Sequence, residues 1–369
     1  MITMTGSETE IRSRLKKFQQ LISEEEGKAI FLTPGDNFFY LSGFDTDSME
    51  RLLVAVVTPE EAVMISPLML EDQIKESPWP GEIITWRDGE DPFRYVQNVI
   101  REYKITNLEI ERNLSYYTYS EMKRLGIKKF HLADDRFSLE RLVKSKSEIE
   151  SIQTAIRRSE ASYTDALKEI RKGMTEIELA GILDYQFTRH SLQKVAFGSI
   201  VAFGENSASP HHVPSKRRLK PGDIVLMDFG GKYNGYSSDT TRTCAFDSLT
   251  PEMRKVYAIV REAQEKSLEG ITRESRYSSV DRTARSIISK AGYGEFFTHR
   301  LGHGLGIAVH EEPYLTSANK KTVQNRTVFT IEPGIYLKGK GGVRIEDTVM
   351  FDGKVARPFN RLTKELIII

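Results

Sequence analysis

Cysteine is almost missing from this chain: among 369 residues only Cys244 carries a thiol. One thiol can form neither an intramolecular disulfide nor a multi-thiolate zinc site, which excludes a disulfide-stapled scaffold and a Cys-based metal centre. Net charge is almost missing too. Its 53 Lys and Arg face 52 Asp and Glu, a formal +1, so nothing electrostatic points to nucleic acid or an anionic membrane as a partner. No run reaches the roughly 20 apolar residues of a membrane span, and Met1 to Glu10 lack a basic stretch followed by an apolar one. The expectation is a cytoplasmic protein with no membrane partner. Tandem repeats and low-complexity segments are absent as well.

What is present is an ordinary globular composition, 39% hydrophobic, 9% aromatic and 28% charged, in a chain long enough for two domains. In the first part, strand-like runs (Ala29–Leu32, Leu52–Val57, Glu61–Ile65, Ile83–Trp86, Leu108–Ile110) alternate with helical stretches at Pro92–Tyr103 and Tyr117–Leu125. That alternation predicts an α/β layer. A boundary near Leu142–Ser147 divides the chain into domains at 1–143 and 144–369. There Ser147-Glu-Ile-Glu150 reads as an S-x-x-E capping box opening a helix. Its apolar face would carry Ile149, Ile152, Ile156, Tyr163, Leu167 and Ile170, and Gly173 would stop it. Thr175-Glu-Ile-Glu178 reads as a second box, and further helices are predicted at Pro251–Leu268 and Val280–Ala291. With β-type stretches at Ser199–Phe203, Asp223–Phe229, Thr240–Phe246, Val328–Ile331 and Arg344–Phe351, the second part reads as α+β, helices segregated from an antiparallel sheet.

One long-range echo stands out. Pro221-Gly-Asp-Ile-Val-Leu-Met-Asp-Phe-Gly230, followed by Ser238-Asp-Thr-Thr-Arg-Thr243, is an apolar strand bearing Asp228, a Gly-rich turn and a return strand bearing Asp239. Val328-Phe-Thr-Ile-Glu-Pro-Gly334 and Val343-Arg-Ile-Glu-Asp-Thr348 repeat that plan with Glu332 and Glu346. Taken singly, each carboxylate could be a capping or solvent-facing group. Burying a lone ionised carboxylate costs several kcal/mol after relaxation, so four in matched hairpins call for positive charge. Arg242, Arg344 and Lys232 lie close enough in sequence to neutralise some of them; divalent cations would satisfy all. Two cations about 3.5 Å apart share carboxylates readily and accept an imidazole. Five of the seven histidines, His211, His212, His299, His303 and His310, fall in the active-looking stretches of the second part. His303 sits between glycines in Leu301-Gly-His-Gly-Leu-Gly306, which allow close backbone approach. The same glycines, at roughly 1 kcal/mol each against a helix, exclude a helical H-x-x-x-H zinc pair with His299. Gly204-Glu-Asn-Ser-Ala-Ser-Pro-His-His212 reads as a polar loop whose paired histidines keep a functional role open.

At these residues the sequence resembles the pita-bread-fold metallopeptidase family, which contains methionine aminopeptidase, aminopeptidase P and prolidase; the order Asp, Asp, His, Glu, Glu is the family's ligand set. Leu32-Thr-Pro-Gly-Asp-Asn-Phe-Phe-Tyr-Leu-Ser-Gly43 is similar to the strand and turn of the creatinase-like N-terminal domain, which points to the proline-directed members. The resemblance implies that Asp228 chelates one metal, Asp239 and Glu346 bridge both, and His303 and Glu332 hold the second. It makes His211 and His310 substrate-side histidines and Glu332 a proton shuttle to the leaving nitrogen. It implies two divalent ions per subunit, manganese or cobalt with zinc or iron as alternatives, a bridging hydroxide as nucleophile, a small peptide substrate with proline at its second position, and a homodimer. An Arg common in prolidases after His-Glu-x-Pro is replaced here by Tyr314. That departure leaves dipeptidase and aminopeptidase P both open; prolidase activity is the expectation, with aminopeptidase P as the alternative. A two-metal phosphoesterase would need a cationic phosphate clamp that is not seen, and a non-catalytic binding protein would not need the full ligand set.

Overall fold

A computed structural model describes residues 8–47 and 50–369, and contacts divide the chain into two units that meet in sequence at Glu140 and Arg141. The first is built on a six-stranded mixed sheet. Its central strand, Lys28–Leu32, pairs antiparallel with Val54–Val57 and parallel with Asn107–Ile110. Ala29, Phe31, Val54 and Val56 pack with Val96 and Val99 of the Pro92–Glu102 helix, and Ile30 and Leu32 are also buried. Covered on both faces, these strands read as unbroken apolar runs rather than alternating ones. The helix starts where Asp91 accepts from Phe93 N and Pro92 follows, a donor-poor first turn suited to its end.

One expectation is corrected here. Beyond Leu32 the chain does not make a strand and turn but a helix, Asp36–Ser42, closed by Gly43 in the left-handed region at φ 68°. Phe38, Phe39, Tyr40 and Leu41 are all buried, so the run carries no helical periodicity to betray it.

In the second unit the paired strands are antiparallel but divide into several ladders rather than one sheet. Two of these ladders carry the doubled hairpin plan. Ile224–Phe229 pairs with Thr240–Ala245, from Phe229 opposite Thr240 to Ile224 opposite Ala245. Val328–Ile331 pairs with Asp347–Phe351, Ile331 opposite Asp347. The strand Ile224–Phe229 is apolar on both faces because it lies between two clusters. Val225, Met227 and Phe229 pack with Tyr163, Leu179 and Leu183 of the helices Lys146–Lys168 and Glu176–Arg189. Ile224 and Leu226 pack with Val256 and Val260 of the Pro251–Glu269 helix and with Phe329, Ile331 and Val349 of the other hairpin. The Tyr277–Lys290 helix closes that second cluster through Val280, Ala284 and Ile288.

Three local readings shift. The first helix is capped by Ser145, not Ser147: Ser145 Oγ accepts from Glu148 N at 3.2 Å and Glu148 Oε2 accepts from Ser145 N at 2.7 Å. The spacing S-x-x-E occurs twice in succession there, and a tertiary contact selects between them, because buried Glu148 also accepts from Tyr236 OH at 3.0 Å. That helix ends at Lys168, and Gly173 occupies the turn beyond it with φ 84°. The Arg344–Phe351 run is broken: Gly341–Arg344 pairs with Gly334–Leu337, Asp347–Phe351 pairs with Val328–Ile331, and Ile345 and Glu346 lie between.

Candidate metal centre and active site

Each hairpin delivers its acids at matching places. Asp228 stands on its strand opposite Thr241, and Asp239 directly precedes the return strand. Glu332 directly follows Val328–Ile331, and Glu346 directly precedes Asp347–Phe351. The hairpins are stitched together at these points: Glu346 N donates to Thr241 O at 3.1 Å, Thr241 Oγ1 to Glu346 Oε2 at 2.7 Å, and Thr348 Oγ1 to Asp239 O at 2.9 Å. His303 arrives on the short strand Gly302–Gly304, laid between Glu311–Leu315 and Val328–Ile331. Its flanking glycines are required, since a Cβ on Gly302 would fall 2.0 Å from Thr330 O and one on Gly304 would fall 2.2 Å from Glu312 O.

All seven residues predicted for the site, Asp228, Asp239, His303, Glu332, Glu346, His211 and His310, line one cavity of about 470 Å³. Asp239, His303 and Glu346 offer ligand atoms all within 4.8 Å of one another. Their exposures are only 5%, 3% and 2%. His303 Nε2 lies 3.2 Å from Glu332 Oε1 and 3.6 Å from Asp239 Oδ2.

The cluster is short of positive charge. Arg344 donates to Asp228 Oδ2 at 2.7 Å, whereas Arg242 goes to Asp347 Oδ1 at 2.7 Å and Lys232 to the carbonyl of Ile307 at 3.0 Å. Among the described residues, Asp228 Oδ1 and Glu346 Oε1 are buried with no hydrogen-bond partner. Burial first, then the neighbouring carboxylates, push Asp239 and Glu346 well above the usual carboxylate range, and burial also raises Asp228. Burial acts the same way on Glu332, but the hydrogen bond and charge of His303 outweigh it and hold that carboxyl at about 2. Crowded, desolvated oxygens with unused lone pairs, beside an imidazole, are the donor set of a divalent-cation site; these residues fit the metals expected of them.

Around the acids lies a polar chain that the sequence did not disclose. Buried Arg344 also donates to Tyr336 OH at 2.9 Å, to Thr241 Oγ1 at 3.0 Å and to Pro210 O at 3.3 Å. His299 Nδ1 donates to Arg300 O at 2.7 Å, which leaves Nε2, 2.8 Å away, to accept from Tyr336 OH. Burial pushes the Tyr336 phenol up to about 12 and lowers His299. His299 was legible only as a rejected zinc ligand, and nothing near Tyr336 in sequence marks it.

His310 stands edge-on to His303, ring centres 4.2 Å apart; desolvation, then His303 and Arg300, lower it to about 4. His211 lies exposed on the rim, while His212 turns to Glu176, Nε2 to Oε2 2.8 Å. Arg300 also lines the cavity, its guanidinium stacked 4.4 Å over the Tyr314 ring rather than on a carboxylate.

Similarity to known proteins runs along almost the whole chain. The profile of the Creatinase/Prolidase N-terminal domain matches residues 14–152 and that of metallopeptidase family M24 matches residues 150–352. An Xaa-Pro dipeptidase of Pyrococcus furiosus is 33% identical over 358 residues, 97% of this chain and 100% of that protein. The crystal structure of a prolidase from Thermococcus sibiricus superposes with a TM-score of 0.92 at 38% identity, covering 97% of this chain and 99% of that one. That of an X-Pro aminopeptidase from Thermotoga maritima gives 0.86 at 31% identity, covering 96% and 100%. With profile, relatives and the paired-hairpin site in agreement, the chain belongs to metallopeptidase family M24, joining a creatinase-like N-terminal domain to a pita-bread peptidase domain.

Proposed function

We propose that this M24 peptidase is a dinuclear-metal Xaa-Pro dipeptidase in which Asp228, Asp239, His303, Glu332 and Glu346 would hold the two ions. The single observation that carries it is the buried cluster of under-neutralised carboxylates around His303 within the cavity. Manganese or cobalt is the expected metal, since oxygen-rich donors with one imidazole suit both. When bound, such cations acidify water and polarise a carbonyl.

The protein's own groups do the rest. Glu332 is the carboxylate placed to take a proton from the attacking water and pass it to the leaving imino nitrogen. His310, lowered to about 4, is neutral at pH 7 and offers an N–H to the developing oxyanion without adding charge to the cation site. His211, at the rim, completes the substrate-side contacts. Phe197, Ile200, Pro210 and Val213 give the cavity an apolar wall suited to a proline ring. Arg300 is the cavity cation left to meet a free substrate carboxylate, which favours dipeptides over longer peptides.

The same reading takes the protein as a cytoplasmic homodimer, to be checked by sedimentation and fractionation, and draws its functional domains at 1–143 and 144–369. It is tested by comparing a Xaa-Pro dipeptide, its C-terminal amide and a Xaa-Pro-Yaa tripeptide. Preference for the free dipeptide supports the dipeptidase; equal or better cleavage of the tripeptide makes the enzyme an aminopeptidase P.

A further inference from the structure

In sequence, Glu176 is the second residue of the Thr175-Glu-Ile-Glu178 box, an ordinary acidic residue in a helix's first turn. The structure separates it from its neighbour. Glu178 closes the capping box on the outside, accepting from Thr175 N at 2.6 Å. Glu176, turned roughly 200° around the helix from it, is fully buried, at 0% exposure.

Its carboxylate is used by one loop alone. Oε1 accepts from Phe203 N at 2.7 Å and Asn206 Nδ2 at 3.0 Å. Oε2 accepts from Ser215 N at 2.9 Å, Ser215 Oγ at 2.6 Å and His212 Nε2 at 2.8 Å. The backbone follows: Glu176 N donates to Arg217 O and Ile177 N to Ser215 O, each at 3.2 Å. Both stems of the 204–215 loop thus converge on one carboxylate, and the helix N-terminus favours its charge. Arg344, the partner of Asp228, also holds the loop, donating to Pro210 O. His211 is the residue between these two clamps, with Pro210 held on one side and His212 on the other.

We propose that Glu176 is a positioning residue for His211: by fixing His212 and both loop stems, it sets the His211 imidazole over the reacting centre. This rests on the dipeptidase reading of the cavity. An amide cannot replace the carboxylate, because each oxygen faces a backbone N–H and either orientation of Gln would turn its NH₂ on one of them.

The test is a double-mutant cycle in the metal-loaded enzyme with a Xaa-Pro dipeptide, using Glu176→Gln, His211→Ala and the pair, with metal content measured for each. Glu176→Gln is expected to lower kcat by about 100-fold with little change in KM, to keep its full metal content, and to cause no further loss once His211 is alanine. Additive losses, an unchanged kcat, or a loss of bound metal matching the loss of activity would each overturn the proposal. Should Glu176→Gln fail to fold, Ser215→Ala, which removes one donor and leaves Ser215 N in place, takes its position in the cycle with a smaller loss and the same non-additivity expected. A wild-type enzyme that cleaves no Xaa-Pro substrate would sink the dipeptidase reading itself, whereas a sound wild type with additive variants sinks only the role of Glu176.

Discussion

At the scale of single residues, the site works by giving neighbouring groups different tasks. His303 and His310 stand ring to ring, yet His303 faces Asp239 and Glu332 while His310 reaches the cavity surface. His310→Ala should therefore retain its metal and lower kcat by about 100-fold, the usual contribution of one positioned proton or hydrogen-bond donor. Metal analysis beside steady-state kinetics checks this, and loss of metal would assign His310 to the ligand set instead. Arg300 has a distinct signature. If it meets the substrate carboxylate, Arg300→Met should raise KM for a Xaa-Pro dipeptide by about 10- to 100-fold, the worth of a hydrogen bond to a charged group, and leave the dipeptide amide unaffected. Equal losses on both substrates would reduce Arg300 to packing on Tyr314.

At the scale of elements, the strand carrying His303 is aimed by what surrounds it. The neighbouring Glu311–Leu315 strand is anchored through Glu311, whose Oε1 accepts from Lys144 Nζ at 2.6 Å and whose Oε2 accepts from Arg141 at 2.5 Å. Burial opposes the charge of Glu311, but Lys144 and then Arg141 prevail and hold its carboxyl below the usual range. A carboxyl depressed in the folded state contributes stability above its ordinary value, and that contribution is lost as pH falls toward the folded value. Lys144→Met should cost about 3 kcal/mol, the low end for breaking a buried pair because Arg141 remains. It should also move acid unfolding to higher pH; a denaturation midpoint and acid transition equal to wild type would contradict this. Thr175 caps its helix through Glu178 as the spacing predicts, and the doubled strands pair antiparallel as read, with Asp239, Glu332 and Glu346 standing just outside them rather than on them. The misreadings share a physical cause, tertiary contacts overriding local pattern. Tyr236 selects Ser145 over Ser147 by fixing Glu148. All-round burial hides the Asp36–Ser42 helix, and the break after Arg344 leaves it in the ladder with Gly334–Leu337, where it reaches Asp228, while Asp347–Phe351 pairs elsewhere. The acids were visible because they recur in a repeated frame, and His303 because glycines flank it. Glu176, Tyr336 and His299 were not, since each is defined by partners distant in sequence.

At the scale of the whole molecule, the ligand cluster carries more negative charge than the fold neutralises. Asp228 has Arg344, while Asp239 and Glu346 are raised by burial and then by the charges of neighbouring carboxylates. Cations that bind only the folded state would relieve this and add stability that grows with the logarithm of their free concentration above Kd. The central claim is that this same cluster makes the chain a metal-dependent Xaa-Pro dipeptidase. It is tested most directly by stripping the protein of metal and following amino-acid release from a Xaa-Pro dipeptide, with a Met-Ala-Ser peptide as control, before and after adding manganese or cobalt. The account predicts no turnover without metal, restoration by either ion, cleavage of the proline dipeptide alone, and no restoration in Asp239→Asn. Undiminished cleavage by the stripped enzyme, or no cleavage under any metal, would contradict it.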